Sequence, residues 1–375
     1  MAWTSIIGQG RVKRLLRSAL SQQTVAHAYL FFGREGVGKD AIALEFAKAL
    51  QCRTAGDEAC GACPSCRKAE EMTHPDIRLI VPLPVGKSEK AGDDPIQVLA
   101  DDVVDHIRTQ WRTKGRDPYH EIEIPKAQFI KINSVRDLKR ESSMSPVEGR
   151  YKVFLILGAE AMNAEASNSL LKTLEEPLPN AVLLLSTAFR ERLSQTVLSR
   201  VQQVECSPLT EEEIVQALQE RDDVEAEEAR AIAQVADGSY RRGKLLIGSD
   251  LKNERSEVVQ FLRLAVGRHV MSLSAELERL AATYERPRVE DWLLVLASWL
   301  RDAMLLQAGA DLPTHRREAA MDNFLKNFPE VRLPEALRAV EDAIADLRRN
   351  VYLPLVLATL ALALRDFVVT PTRPS

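Results

Sequence analysis

The sequence predicts an α/β domain built on a parallel sheet, followed by two all-helical domains. Three observations carry that expectation. Short, nearly continuous apolar runs alternate with helical patterns through the first 205 residues, a glycine-rich loop separates the first run from a helix, and from Ser207 onward helix formers replace every strand signal. At 375 residues the chain is long enough for more than one core, since single cores stop growing near roughly 250 to 300 residues.

The strand candidates, in order, are HAYLFF (27–32), DIRLIV (76–81), QFIKI (128–132), YKVFLIL (151–157) and AVLLLST (181–187). Their apolar continuity is that of strands buried on both faces. AIALEFAKAL (41–50) and NAEASNSLLKTLEEP (163–177) read as helices, the second stopped by Pro177, which cannot continue one. Residues 83–125 interrupt the rhythm with Pro, Gly and charges around one amphipathic piece, VLADDVVDHIRTQW (98–111), and read as an insertion on the surface. Residues 1–206 are thus the expected α/β domain, with a cysteine module at 50–70. SPLTEEEIVQALQE (207–220) opens with Pro and an acidic first turn, and AEEARAIAQVADG (226–238) closes on glycine, so 207–250 is expected as a small helical domain. WLLVLASWLRDAMLLQ (292–307) and LPEALRAVEDAIADLRR (333–349) place a third, all-helical domain over 251–370.

Charge and composition exclude several classes. With 50 basic against 54 acidic residues the formal charge is −4, which provides no global attraction to nucleic acid or an anionic membrane. The longest uncharged apolar run, residues 351–364, is shorter than the ~20 residues that span a bilayer and reads as a buried helix. The first residues lack the apolar core and small-residue site of a secretory signal. A cytosolic protein with no membrane contact is the expectation.

Residues 33–40, GREGVGKD, follow the first strand candidate and precede a helix, the context of a phosphate-binding loop of pattern G-x-x-x-x-G-K. Gly33, Gly36 and Gly38 would let backbone N–H groups cradle phosphates, and Lys39 would reach their outer oxygens. Position 40, where a hydroxyl is expected to hold magnesium, is Asp40. A carboxylate there would set a further negative group against anionic phosphates. A hydrolysing enzyme also needs an acidic residue at the end of a second strand to hold the metal, but YKVFLIL ends in Leu157 and Gly158. Glu160 lies two residues further and reads as a solvated charge at a helix start. ATP or ADP therefore remains a possible ligand of this loop and Thr187, at the end of a later strand, while turnover is not expected.

Cys52, Cys60, Cys63 and Cys66 have the spacing C-x7-C-x2-C-x2-C within a polar, turn-rich segment, which suits one closed, structural zinc site with four thiolates. Cys206 is expected as an inert core thiol. Arg200, read alone, is a surface salt-bridge residue.

An IIGQ box at Ile6–Gln9, HAYLF before the loop, the cysteine module after it, SNSLLKTLEEP (167–177) and the Ser199-Arg200 pair together resemble the clamp-loader branch of the AAA+ ATPases. The resemblance covers residues 1 to about 250. It implies a RecA-like α/β domain with the zinc module, a helical lid and a helical collar. It implies further a hetero-pentamer with motor subunits and a clamp-opening subunit, acting on a sliding clamp and primed DNA. Motor members carry Lys-Thr or Lys-Ser in the loop and Asp-Glu at the second strand, where this chain has Lys39-Asp40 and Leu157-Gly158. Members with a degraded site keep a Ser-Arg-Cys motif, here Ser199-Arg200-Val201, whose arginine is implied to reach a neighbouring subunit's ATP. Two rival expectations are an active motor ATPase with unusual magnesium ligands, and a nucleic-acid-binding module using the zinc segment and the basic residues of 108–116.

Overall fold

The structure, a computed structural model, describes residues 3–369 apart from 55, 87–88, 91, 249–250, 268, 311–316, 318 and 349–350. The boundary expected at residue 250 lies outside the described residues. The chain forms two compact units, Met1–Ala217 with Gly238–Arg241, and Leu218–Asp237 with Arg242–Ser375.

The first unit is organised by a five-stranded, all-parallel sheet of order β2-β3-β4-β1-β5. β1 (Ala28–Phe32), β2 (Ile77–Ile80), β3 (Lys152–Ile156) and β4 (Ala181–Thr187) coincide with four of the expected runs. Every residue of β3 and β4 is buried, as continuous apolar runs require. QFIKI is a correction: it makes only isolated bridges, Phe129 to Leu83 and Ile130 to Met162, and the chain turns helical at Ile132. Phe129 is 57% exposed while Ile130 is fully buried in the core, so the run crosses the surface and sends a single side chain inward. The fifth strand is instead β5 (Gln202–Glu205), paired only with β1 and buried only at Val204. An edge strand needs no continuous apolar run, and QQVE carries none.

Helices cover both faces. α1 (Gly10–Ser21) precedes β1, α2 (Lys39–Gln51) follows the glycine loop, and α3 (Pro64–Glu70) closes the cysteine module. Tyr29 of β1 meets Phe46 of α2 edge-on at 5.2 Å. The next residue, Leu30, points to the opposite face and joins a core with Phe154, Ile156, Leu183 and Leu185, because side chains alternate along a strand. Leu138 of α5 (Ile132–Ser142), Leu170 and Leu174 of α6 (Ala164–Glu175) and Val197 of α7 (Gln195–Leu198) complete that core. Between α3 and α5 lies α4 (Asp101–Arg116), the amphipathic piece of the 83–125 segment. Its inner stripe is not superficial, since Val104, Ile107 and Lys114 are all buried.

After β5 the chain is helical: α8 (Glu211–Asp222), α9 (Ala226–Ala236) and α10 (Tyr240–Leu245), then α11 (Leu251–Val266), α12 (Val270–Thr283), α13 (Arg286–Gln307), α14 (Ala319–Asn327), α15 (Leu333–Arg348) and α16 (Leu353–Val369). In the second unit α13 is the central rod, packed on α9, α11, α14 and α15. Trp292 meets Phe261 of α11 at 5.0 Å, and Trp299 meets Phe324 of α14 at 5.3 Å. The apolar run at 351–364 is a helix with one buried face, carrying Leu357, Leu360 and Leu364, and one outer face with Leu355 and Leu362 more than half exposed. No helix among the described residues is long and apolar enough to cross a membrane.

Candidate functional site

β1 runs directly into the glycine loop, and α2 starts at Lys39 with Gly38 as its N-cap at φ +100°. All three loop glycines are demanded by their neighbours, Gly36 by Ser239 and Arg241. A Cβ on Gly33, at φ +148°, would lie 2.3 Å from the Cys206 carbonyl oxygen, and one on Gly38 would lie 3.0 Å from the Tyr119 hydroxyl. The IIGQ box braces the loop: the Gln9 side-chain amide donates to the Val37 carbonyl at 3.1 Å and to the Ser207 carbonyl at 2.6 Å. Ile7 N–H donates to the Tyr119 hydroxyl at 2.8 Å. Gly36, the middle loop glycine, stands at φ +75°.

Beside this loop is a cavity of about 690 Å³, lined by Gly36, Gly38, Lys39, Asp40, Thr187 and residues of the 83–125 segment. The structure therefore brings Gly36, Gly38, Lys39, Asp40 and Thr187 together, while Gly33, at the start of the loop, does not line the cavity. Lys39 is 7% exposed and its ammonium donates to the Arg34 carbonyl at 2.6 Å. Burial lowers its pKa, against the pull of Asp40. Asp40 does not face an empty metal position. Its Oδ1 accepts from the Ser186 hydroxyl at 2.6 Å, and its Oδ2 lies 3.4 Å from the Lys114 ammonium. Burial alone would raise the Asp40 pKa, but Lys114, Ser186 and Lys39 together hold it below the ordinary carboxylate range.

The 83–125 segment, expected as a surface insertion, thus forms one wall of the cavity, and that expectation is corrected. Lys114 is 4% exposed and also donates to the His120 carbonyl at 2.7 Å. Tyr119 is buried, and its ring meets Tyr240 edge-on at 5.0 Å. Arg241 pairs with Glu121. Lys114, Tyr119 and Ser186 are site residues that the sequence does not flag by motif. One signal was present: Val104, Ile107, Trp111 and Lys114 share helical spacing on α4, so a lysine sits on the apolar stripe.

At the end of β3, Leu157 is 5% exposed and uses its N–H on the Ile80 carbonyl, and Gly158 follows at φ +69°. No carboxylate projects from either. Glu160 is a second correction. Instead of being a solvated charge it lines the cavity, half-buried, with Oε1 3.5 Å from the Ala188 N–H and Oε2 buried without a hydrogen-bond partner. A single carboxylate is thereby available, from the turn after the strand. Magnesium fits these residues poorly: the position-40 side chain is occupied by Lys114 and Ser186, and the paired strand-end carboxylates are Leu157 and Gly158.

Arg200 does not line this cavity. It follows α7, whose N-terminus is capped by the Ser194 hydroxyl. Its guanidinium donates to the Thr196 carbonyl at 2.9 Å and the Ser199 hydroxyl at 3.1 Å, and pairs with Glu175 at 3.0 Å. With 34% and 49% of the two side chains exposed, such a pair is worth about 0 to 1 kcal/mol, so the guanidinium is placed but not locked. Among the basic residues of α4, Arg108 pairs with Asp105 and Arg116 with Glu71.

The four thiol sulfurs of Cys52, Cys60, Cys63 and Cys66 lie within 4.8 Å of one another, with Cys60 and Cys66 at 3.9 Å. A tetrahedral zinc with bonds of ~2.3 Å sets its sulfurs about 3.8 Å apart, so the donor set fits that ion. Backbone N–H groups already point at the sulfurs, from Cys60 to Cys52, Cys63 to Cys60 and Cys66 to Cys63. Hydrogen bonds from Thr54, Ala62 and Cys63 bring the Cys60 thiol down to about 5. Cys206 behaves as expected of a core thiol: it is 1% exposed and burial pushes it up to about 12.

The sequence pattern of the family described as DNA polymerase III, delta subunit, matches residues 8–210, more than half of the chain and all of the geometry just described from Gly8 to Thr210. The chain belongs to this family. Its similarity extends to the DNA polymerase III subunit delta' of Bacillus subtilis, 29% identical over 252 residues, covering 67% of this chain and 63% of that protein. The subunit delta' of Pseudomonas aeruginosa is 32% identical over 240 residues, 63% and 60% of the two chains. The subunit tau of Salmonella typhimurium is 31% identical over 245 residues, which is 64% of this chain and 31% of that one. The chain thus spans about three fifths of the delta' relatives and a third of the tau relative. A gamma subunit-related protein of Thermotoga maritima aligns over 95% of this chain and 99% of its own, at 15% identity and a TM-score of 0.38.

Proposed function

We propose that this chain is a DNA polymerase III clamp-loader subunit of the delta-prime kind, which does not turn over ATP itself and gives Arg200 to the ATP site of a neighbouring motor subunit. The observation that carries the reading is the division of labour in the chain. The cavity beside the loop lacks the hydroxyl at position 40 and the paired carboxylates at the end of β3, where Leu157 and Gly158 stand, while Arg200 lies outside that cavity, held by weak, exposed contacts. An arginine offered across an interface stabilises charge on the transferred phosphoryl group and needs no nucleotide on its own subunit. In this reading the four cysteines hold one structural zinc, 207–250 is the lid, and 251–370 is the collar that joins motor and clamp-opening subunits. The assembly loads a sliding clamp on primed DNA.

The Arg200→Ala chain should fold normally, yet the assembled complex should lose ATPase activity by roughly tenfold or more, on the order of 1.4 kcal/mol at least. Unchanged turnover in that complex would remove the arginine from the mechanism. A second reading, an active motor, is favoured by one observation, the Glu160 carboxylate in the cavity. It requires the isolated chain to hydrolyse ATP and to stop when Lys39 is replaced by alanine.

A further inference from the structure

We infer that Lys114 stands where the divalent cation stands in other phosphate loops, so that this chain binds a nucleoside diphosphate without magnesium. The inference rests on the reading of residues 33–40 as a phosphate cradle and goes beyond it. In loops of this pattern the residue after the lysine offers a hydroxyl to Mg²⁺, and the ion links that side chain to the phosphates. Here the residue is Asp40, and a cation already sits on it: the Lys114 ammonium is 3.4 Å from Oδ2, while the Ser186 hydroxyl takes Oδ1 at 2.6 Å. All three residues line the same cavity as Lys39.

Lys114 is built into this position. Its side chain is 5% exposed, its ammonium has a second partner in the His120 carbonyl at 2.7 Å, and α4 is anchored by buried Val104 and Ile107. A metal ion would have to displace a buried ammonium and a hydroxyl, and would find Leu157 and Gly158 in place of strand-end carboxylates. The pairing also explains how a carboxylate is tolerated beside a phosphate cradle, since an opposite charge at this range neutralises it. Lys39, Lys114 and Asp40 together supply a single net positive charge, against the three of a lysine with Mg²⁺. The Glu35 and Glu160 carboxylates also line the cavity, so the added negative charge of a triphosphate, with no metal to offset it, gains no attraction over a diphosphate.

Isothermal titration of the full chain with ADP, in EDTA and in excess Mg²⁺, tests this without any variant. The dissociation constants should agree within about threefold, and ATP should bind no more tightly than ADP. Binding that tightens tenfold or more with Mg²⁺ would overturn the role of Lys114 while leaving the cradle intact. Absence of ADP binding in both buffers would overturn the cradle, and the inference with it. Asp40→Asn keeps the side-chain shape and frees one positive charge, so affinity in EDTA should rise by about tenfold; no change would count against the pairing. Lys114→Met, checked for folding by its thermal melt, should weaken ADP in EDTA to a similar degree, and unchanged affinity would overturn the assignment.

Discussion

Asp76 shows how much a single side chain can organise. It is 1% exposed, accepts N–H bonds from Val147, Glu148 and Gly149 at 2.7 to 2.8 Å, and lies 3.6 Å from the Lys152 ammonium. Burial would raise its pKa, but the three donors and Lys152 hold it below the ordinary range. A depressed carboxylate stabilises the fold above its unfolded pKa of ~3.9, and that contribution is lost as pH falls further, through the folded value. Asp76→Asn should therefore destabilise the first unit by about 3 kcal/mol at neutral pH and by progressively less in acid. Urea unfolding at pH 7 and pH 3 measures both; an equal deficit at the two values would contradict the assignment. Residue identity alone announced Lys39, Asp40 and the four cysteines, because short motifs fix their chemistry by spacing. Asp76 was silent, and Lys114 showed only as a lysine on an apolar stripe, because their partners lie about 71 to 74 positions away along the chain.

At the scale of the element, the cysteine module and the 83–125 segment behave in opposite ways. The module is local: its ligands fall within 15 positions, Cys63 caps α3 through its own sulfur, and its partners were all legible from spacing. Metal analysis should find one zinc per chain, and chelation should expose residues 50–70 to proteolysis, since such sites contribute ~10 to 16 kcal/mol. Retained protection after complete chelation would refute a structural role. The 83–125 segment looked superficial because Pro, Gly and charge dominate it. Its helix was legible from periodicity, but where its inner stripe goes was not, since periodicity says which face is buried and never against what. QFIKI and β5 teach the same point about strands. Apolar content reports burial, so it mistook a surface-crossing segment for a strand and passed over an edge strand whose ladder is made by backbone groups alone.

Over the whole molecule the proposed reading has one plain consequence: the isolated chain should show no steady ATP turnover above buffer, measured as phosphate release. Turnover that disappears in Lys39→Ala would instead support the active motor. The sequence by itself determined that a parallel sheet carries a phosphate-type loop, that four cysteines converge, and that helices follow, since each is written in local pattern. It also determined the absence of carboxylates at Leu157 and Gly158. Only the tertiary structure decided that Asp40 is already paired with Lys114, that Glu160 turns back into the cavity, and that Arg200 lies outside it. Those facts depend on which distant side chains share one small volume, and a pattern read along the chain carries no distances across it.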